Sequence, residues 1–489
     1  MIVFCVQPSA EVANLVCRCV RALRERRRAV AVVGWSPLVV EEYGDRGEQV
    51  VSAWTWSALP FPEEYEMREA VHAYVERGQP LQFHNCDLHA LAQTVWPLPF
   101  DSLGRTERIE RLCRLARCLG HMDGVLGMLA PRAVILWNSL SAEAIATTAL
   151  ARRYTSTLRF IERGPFPRTA QVDAEGVNGA ASIVRDPLDA PRPEDMAWTE
   201  QLLHEYQASH QSAWQQPEPE EDGSLLARVG VPLDRPFALF AGQVPGDTNI
   251  THLSPFGEKY ADVYRWLAGA YADRHDVTLV VKRHPKSQED AGDAKSILGP
   301  RAIWTDQGNI QQWLRLCHHV VSVNSTVGFE AAVCGKPVVI LGQAFYGGPS
   351  GRLAFAATTP GDLRQAVQRI LTEPHDGAAQ AARALDLLAR LRRKRWIWSC
   401  SEEDARRLAE HLCELIPFEA GGGSEEFQSR AFREINSAWS SNDQYAQQAI
   451  LWHRAYERLA STFPIPLLLR MRRRLLGLAA PPTVAGRIG

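Results

Sequence analysis

The chain has 489 residues, more than a single hydrophobic core usually serves, so we expect two or three domains. Its 54 Lys and Arg residues nearly balance its 56 Asp and Glu residues, and the net charge of −2 excludes a global field that favours nucleic acid as a partner. Hydrophobic residues make up 46% of the chain, but no apolar run reaches about 18 residues, so we expect a cytoplasmic protein without a membrane-spanning helix.

The ten cysteines form no Cys-x-x-Cys pair, which is typical of reduced thiols in a cytoplasmic protein. His84, Cys86 and His89 lie close together in the sequence, but their spacing matches no zinc pattern. We therefore expect no metal and no other cofactor.

The first 207 residues alternate short apolar runs with stretches of helical spacing. Strands are expected over 2–6, 29–33, 133–137 and 158–161. Helical spacing covers 11–26, and a second helix is expected from a Ser141 cap to about Arg153. This β-α-β order predicts a parallel sheet covered by helices.

A polar, acidic and proline-rich stretch over 208–224 predicts a linker, and a second β-α-β series follows over 225–376. In that series strands are expected over 237–240, 277–281, 320–323 and 338–341, and helices over 260–272 and 329–334. Two Rossmann-like α/β domains joined by a linker predict the GT-B architecture. The site is then expected in the cleft, at the carboxyl ends of strands from both domains.

Residues 377–489 read as a C-terminal helical extension, with helices expected over 378–395, 402–415, 427–438 and 444–460. Within 463–489, apolar residues flank a cluster of arginines between positions 470 and 474. This pattern predicts a helix on an anionic membrane surface, which would make the protein peripheral on the inner membrane. The alternative is a helix that packs across the two domains with its arginines in solvent.

The first candidate site lies at 323–330, where a strand is expected to end and a helix to begin in the sequence VNSTVGFE. Amides at a helix start favour an anion, so Asn324, Ser325 and Thr326 are expected to bind a phosphate. Gly328 would permit close backbone approach, and Glu330 would reach ribose hydroxyls or support the loop. The alternative is an ordinary helix cap, in which Ser325 caps and Gly328 packs.

The second candidate follows the expected strand 277–281 and reads Lys282-Arg283-His284-Pro285. His284 can hold a phosphate that leaves during glycosyl transfer, Lys282 adds a positive charge, and Pro285 fixes the turn. The alternative is a strand end with solvated charges. Because both candidates follow strands of one parallel sheet, they are expected at the same edge.

In the first domain, Glu162 is expected to follow a strand and precede a Gly164-Pro165 turn. Its carboxylate would point into the cleft, where it can act as a base or a nucleophile opposite a sugar. The alternative is a turn in which Glu162 pairs with Arg163 or Arg168 and Asp173 makes an Asx turn.

A weaker candidate is the polar loop 243–249, with Gln243 and Asp247, which would line the cleft or form a solvated interdomain turn.

Together these segments resemble the capsule polysaccharide biosynthesis family, whose characterised members are Kdo transferases. The resemblance covers about residues 130–350 and rests on the order and spacing of the pieces. The matching pieces are Trp137-Asn138, Glu162-x-Gly164, Gln171-x-Asp173-x-x-Gly176-Val177-Asn178, Gln243 with Asp247, Lys282-x-His284-Pro285, Asn324-Ser325-Thr326-x-Gly328-x-Glu330, Gly335-Lys336-Pro337 and Tyr346.

The resemblance implies a GT-B fold with a CMP-activated sugar on the second domain and the acceptor on the first. Related CMP-sugar transferases carry two acidic residues before the first-motif glycine, whereas here the second is Arg163. Glu162 is then the expected catalytic carboxylate, with Asp173 as its competitor and His284 at the leaving phosphate. The implied donor-binding residues are Lys282, His284, Pro285, Asn324, Ser325, Thr326, Gly328, Glu330, Gln243 and Asp247, and the implied acceptor or cleft residues are Asn138, Arg163, Gly164 and Asn178.

The implied function is transfer of Kdo or a related acidic sugar from its CMP form to a lipid-linked or polysaccharide acceptor in capsule or surface polysaccharide biosynthesis. One alternative on the same architecture is a non-hydrolysing UDP-sugar epimerase. Another is a catalytically inactive GT-B-like scaffold of polysaccharide export, which the replacement of an acid by Arg163 makes conceivable.

Overall fold

A computed structural model describes residues 1–416 apart from 8, 36, 49, 53–63, 79, 98–99, 290 and 349–352. The helices expected over 427–438 and 444–460 and the membrane-surface segment 463–489 lie outside the described residues. None of the helices in the described ranges is long and apolar enough to cross a membrane.

The secondary structure follows the predicted β-α-β order. The strands are β1 (Ile2–Val6), β2 (Val30–Gly34), β3 (Val50–Ser52), β4 (Gln82–Phe83), β5 (Cys86–Asp87), β6 (Ala133–Trp137), β7 (Leu158–Arg163), β8 (Thr169–Asp173), β9 (Phe237–Ala241), β10 (Thr278–Lys282), β11 (Ala302–Thr305), β12 (His319–Ser322), β13 (Val338–Ile340), β14 (Phe355–Ala356) and β15 (Ile397–Ser399).

The helices cover both sheets. They are α1 (Ala10–Glu25), α2 (Pro37–Gly44), α3 (Glu64–Arg77), α4 (Leu88–Val95), α5 (Arg105–Leu129), α6 (Ala142–Ala151), α7 (Pro193–Ser209), α8 (Asp222–Val229), α9 (Thr248–Leu253), α10 (Ala261–Tyr271), α11 (Ala291–Leu298), α12 (Ile310–Leu316), α13 (Thr326–Val333), α14 (Pro360–Thr372), α15 (Gly377–Arg393) and α16 (Glu402–Leu415).

The first sheet has the strand order β15-β8-β7-β6-β1-β2-β3. Its five strands from β7 to β3 are parallel, while β8 runs antiparallel to β7 and β15 antiparallel to β8. In β1, Val3 and Cys5 pack into one core cluster, and Phe4 and Val6 pack into another on the opposite face. Burial on both faces explains why 2–6 is a continuous apolar run, as parallel sheets require.

The second sheet is parallel throughout, with the order β11-β10-β9-β12-β13-β14. Because β10, β9 and β12 are neighbours, the loops that follow them lie at one edge, as predicted for the His284 and Ser325 segments. The two facing α/β domains confirm the predicted fold class.

The predicted domain boundary at residue 207 falls inside helix α7. Helix α7 packs against α15, and its residues Leu203 and Tyr206 belong to the core of the second domain. The helix was assigned to the first domain because it precedes the polar stretch in the chain. Its apolar side chains, however, are buried against second-domain residues, and burial decides where a helix packs.

The segment 208–224 is ordered in the structure. Helix α8 already begins at Asp222, and Ser212 and Gln216 are buried. The side chain of Asn309, at the start of α12, donates to the carbonyl oxygens of His210 and Pro217 at 2.7 and 2.8 Å. The polar composition that predicted a linker therefore supplies hydrogen bonds to the second domain.

Glu330 anchors this segment. Its carboxylate is 1% exposed and accepts hydrogen bonds from Tyr206 Oη at 2.5 Å and Ser212 Oγ at 2.9 Å. Burial raises its pKa to about 7, although the two hydroxyls favour the charged form. Glu330 thus supports the segment 208–224, whereas the predicted roles were contact with ribose hydroxyls or support of the loop at 323–330.

The extension that begins at 377 is not purely helical. Arg395 adopts a positive φ of 60°, which ends the turn after α15. The chain then forms β15, which joins the first sheet beside β8, and α16, which packs on α1. The sequence predicts a helix through the basic run 392–395, whereas α15 ends at Arg393. The segment that follows returns to the first domain, where Trp396 and Trp398 are buried.

The contribution of Glu330 to stability is expected to fall as the pH rises from 5 to 8. Glu330 has a folded pKa of about 7 against an ordinary value of 4.5, so the folded state binds the proton more tightly. Its contribution is present below pH 4.5 and is lost as the pH rises through 7, by about 3 kcal/mol. Unfolding midpoints measured across this range should show that Glu330→Gln gains stability relative to the wild type as the pH rises.

Glu162 contributes with the same sign over a narrower range, since its pKa is about 6, whereas the lowered pKa of His284 contributes with the opposite sign in both proteins. The control is Glu403→Gln, which removes an exposed carboxylate paired with Arg407 on α16. Identical pH profiles for the wild type and Glu330→Gln would contradict this account of Glu330.

Candidate active site

The carboxyl ends of β6 and β7 meet the second domain through Asn138. This residue follows β6 with a φ of 61°, a conformation that asparagine tolerates. Its side-chain oxygen accepts from the amides of Ser139 and Leu140, each at 2.6 Å. Its amide nitrogen lies 3.2 Å from Glu162 Oε2 and 3.3 Å from Thr248 Oγ1 of the second domain. Asn138 therefore holds Glu162 at the contact between the domains.

Glu162 lies inside β7, one residue before its end, and its side chain is 12% exposed. Burial raises the pKa of its carboxyl to about 6, and the negative charge of Asp247 acts in the same direction. The charge and backbone amide of Arg163 oppose the rise; that amide donates to Oε1 at 2.9 Å. A carboxyl with this pKa can exchange a proton near neutral pH, as an acid or base must.

Amide side chains connect the strand ends of the two sheets. Gln171 of β8 exchanges hydrogen bonds with Asn178, whose Nδ2 donates to Asn249 Oδ1 at 2.9 Å across the domain contact. Asn324 Nδ2 donates to the carbonyl of Asn249 at 2.8 Å and pairs reciprocally with Gln243 at 3.0 Å. The structure thus brings together Asn178, Gln243 and Asn324, which the sequence placed on separate segments.

Asp247 begins α9, where its carboxylate accepts from the Asn249 amide at 2.8 Å. The predicted loop therefore ends in a helix cap whose charge is close enough to Glu162 to raise its pKa. The cleft-lining alternative describes this loop better than a solvated turn.

His284 lies in the turn after β10, in which the Ser287 amide donates to the His284 carbonyl at 2.9 Å around Pro285. Its Nδ1 accepts from the Lys286 amide at 3.0 Å, so Nε2 carries the proton of the neutral ring. Burial and the charges of Arg163, Lys282 and Lys286 lower the pKa of His284 to about 4. It can therefore act as a neutral N–H donor, one of the two forms expected for it.

Sequence reasoning missed Trp214, because it lies in the segment predicted as a linker. The Arg163 guanidinium carbon lies 4.1 Å from the centre of its ring, and Lys286 Nζ lies at 5.7 Å. The His284 ring meets it nearly at right angles, with centroids 5.6 Å apart. The available signal was a tryptophan in a polar stretch, because aromatic side chains contribute much of the contact energy in cores and interfaces.

At the start of α13, Ser325 Oγ accepts from the Val327 amide at 3.2 Å, which is the ordinary helix cap. A Cβ at Gly328 would collide with the Tyr346 hydroxyl, so this glycine permits packing and not ligand approach. Ser325 and Thr326 are nevertheless partly exposed.

Lys282 does not point toward a phosphate site. It is 6% exposed, and its Nζ donates to the carbonyls of Asp306 and Gln307 at 3.3 and 3.2 Å. Burial lowers its pKa to about 8. The sequence showed a lysine at a strand end, but as the last residue of a fully buried strand it instead holds the neighbouring loop.

Asp173 is not a competitor for the role of Glu162. Its Oδ1 accepts from the amides of Glu175, Gly176 and Ser182, and its Oδ2 accepts from Ser182 Oγ at 2.9 Å. These bonds fold the loop that leads to Asn178 and extend the predicted Asx turn. In the other turn, the Gly164 amide donates to the Thr169 carbonyl at 2.8 Å, and a side chain at Gly164 would collide with Thr169.

Within the described part of the chain, no group of three or more His, Cys, Asp or Glu side chains is arranged to hold a metal. His84 instead pairs with Asp123 at 2.9 Å, and Cys86 accepts from Arg153. The expectation of metal independence stays a prediction.

A comparison with curated proteins finds a partial relative. Protein FixF of Sinorhizobium fredii (strain NBRC 101917 / NGR234) is 27% identical over 194 residues, which cover 38% of this chain and 43% of that protein. The chain thus matches less than half of the length of this relative.

Among solved structures, the β-Kdo 2,4 transferase of KpsC from Thermosulfurimonas dismutans gives a TM-score of 0.41 with 18% identity, covering 58% of this chain and 87% of that chain. The S. aureus MnaA–UDP structure gives a TM-score of 0.38 with 11% identity, covering 86% and 98%. Both similarities are distant.

Residues 198–351 match the family model of the capsule polysaccharide biosynthesis proteins. This range contains the Trp214 segment, the 243–249 loop, the His284-Pro285 turn and the Ser325-Thr326 helix start. The match confirms the resemblance that these motifs predicted: over this range the chain is similar to the capsule polysaccharide biosynthesis proteins.

Proposed function

We propose that this protein is a glycosyltransferase that transfers Kdo or a related acidic sugar from its CMP form to a lipid-linked or polysaccharide acceptor in surface polysaccharide assembly. The observation that carries the proposal is the position of Glu162. This carboxyl, with a pKa of about 6, lies where the strand ends of two Rossmann-like domains meet. The family match of the second domain supports the same function.

The donor would bind to the second domain. Its phosphate would accept from the Nε2–H of His284 and lie near the start of α13, where Ser325 and Thr326 are partly exposed. Hydrogen bonds to the phosphate would stabilise the negative charge that develops on it as the sugar leaves. Lys282 is not part of this site, since its ammonium is bound to backbone carbonyls.

The chemistry would involve Glu162. The bond between the anomeric carbon and the CMP phosphate oxygen breaks, and an acceptor hydroxyl oxygen bonds to that carbon. Glu162 takes the hydroxyl proton as a base, or first bonds to the anomeric carbon as a nucleophile and is then displaced by the acceptor oxygen, whose proton passes to the departing CMP phosphate. The amide of Asn138 would hold the carboxylate in place for either role.

CMP should raise the unfolding temperature of the protein, because a ligand that binds only the folded state stabilises it, by about 2.7 kcal/mol at 100 times its dissociation constant. His284→Ala and Ser325→Ala should each reduce this shift. His375→Ala is the control, because this exposed histidine binds the Gly335 carbonyl. Unchanged CMP affinity in both site variants would refute the phosphate assignment, and stabilisation by UDP instead of CMP would favour the epimerase.

Glu162→Gln keeps the shape of the side chain and removes its basicity. It should lower turnover by roughly 10²- to 10⁴-fold and leave CMP binding intact. Glu175→Gln, which removes an exposed carboxylate of the same domain, is the control. Full turnover in Glu162→Gln would show that this carboxylate is not part of the mechanism. A wild-type protein that neither transfers the sugar nor hydrolyses the donor would instead support the scaffold alternative.

The turnover of the wild type should rise with pH through about 6 and then level off, because a base or nucleophile must be ionised and the pKa of Glu162 is about 6. A rate profile measured from pH 5 to 8 checks this sign. A turnover that falls through pH 6 would mean that Glu162 acts in its protonated form.

A further inference from the structure

Arg163 is a cation at the site without a full set of partners. It ends β7, and its side chain is 31% exposed. Its Nε lies 3.8 Å from Glu162 Oε1, too far for a hydrogen bond. Among the described residues its guanidinium donates no hydrogen bond, so its donors are available to a ligand.

The orientation of Arg163 is fixed by stacking. Its guanidinium carbon lies 4.1 Å from the centre of the Trp214 ring, a contact that combines cation–π attraction with planar stacking. A guanidinium held in this way loses little freedom when it binds a ligand. Its fork of donors matches the two oxygens of a carboxylate or a phosphate.

Trp214 is itself held from the second domain. Its carbonyl accepts from Gln216 Nε2 at 3.0 Å, and Gln216 Oε1 accepts from the Ile310 amide at 3.1 Å, at the start of α12. The Trp214 ring is therefore held by the second domain, and Arg163 of the first domain stacks on its face.

The charge around this ring is positive. Arg163 and Lys286 both lie within cation–π distance of Trp214, and the neutral His284 at its edge is a further N–H donor. The charge of Arg163 also contributes to the lowered pKa of His284, which shows that these two residues are electrostatically close. An anion is the ligand that such a group of donors favours.

We infer that Arg163, positioned by Trp214, binds an anionic group of the sugar donor, and this inference rests on the proposed function. The shared chemistry is a planar or tetrahedral oxyanion. In the donor it is supplied by the carboxylate of the acidic sugar or by the CMP phosphate. Trp214 is a positioning residue, since it acts through Arg163.

The test uses full-length protein and isothermal titration with two probes, CMP and CMP-N-acetylneuraminic acid, a nucleotide sugar with a carboxylate. Arg163→Gln should weaken binding roughly tenfold to hundredfold, as expected for the loss of hydrogen bonds to a charged group. Weaker binding of the sugar nucleotide alone assigns Arg163 to the carboxylate, and equal weakening of both ligands assigns it to the phosphate.

Further variants separate binding from folding. Arg163→Lys keeps the positive charge but lacks the planar pair of guanidinium donors, so it should lose less affinity for the ligand than Arg163→Gln does. Trp214→Leu should reproduce the ligand preference of Arg163→Gln, whereas Trp214→Phe should restore part of the affinity. Arg369→Gln is the matched control, because Arg369 also lies over an aromatic ring, 5.3 Å from the centre of Phe355 on the surface of the second domain.

The two proposals fail in different ways. If the wild type binds CMP but Arg163→Gln, folded by its unliganded unfolding profile, binds both probes with unchanged affinity, the inference is overturned and the proposed donor site stands. If the wild type binds neither probe, the proposed function is overturned and the inference with it.

Discussion

The chain of amide side chains across the domain contact is the constraint on which the site depends. Gln171, Asn178, Asn249, Asn324 and Gln243 are joined in sequence by hydrogen bonds of 2.6–3.0 Å, so that loops after strands of both sheets have fixed relative positions. Buried amides are costly unless paired, and the buried ones here, Gln171, Gln243 and Asn324, are all paired. Glu162 and His284 acquire their environments within this framework.

The hydrogen bonds also divide the candidate residues into two groups. Lys282, Asp173 and Glu330 each have their charged atoms bound by backbone groups or hydroxyls of the protein, which makes them supports of loops. Arg163 and His284 keep donors that the described protein atoms do not use. A charged residue at a strand end is therefore a candidate for chemistry only if the fold leaves its polar atoms unpaired, and sequence spacing does not reveal this.

The sequence predicted the sheets well, because continuous apolar runs such as 2–6 and 133–137 are buried on both faces and are separated by helical periods. It also predicted Glu162, His284, Gln243 and Asn324 as site residues from such runs, and the structure places them at or near the ends of strands. It failed where composition and packing disagree. The segment 208–224 is polar, yet Ser212 and Gln216 are buried by partners more than 90 residues away in the chain. No local sequence pattern predicts those partners. The short strand β15 was missed because its partner β8 lies more than 220 residues earlier in the chain.

The contacts between the domains differ in kind, and this difference indicates where motion is possible. Phe166 of the first domain is 1% exposed and packs against Tyr206 and Phe329, with ring centroids 5.0 and 5.8 Å away, so separating it would expose apolar surface. The contacts near Glu162, by contrast, are single hydrogen bonds between polar side chains, such as Asn138 to Thr248. Such contacts bury less apolar surface than the packing of Phe166 does, so they contribute less to holding the domains together. We therefore expect the domains to separate at the polar contacts when a donor enters, while Phe166 stays packed at the hinge.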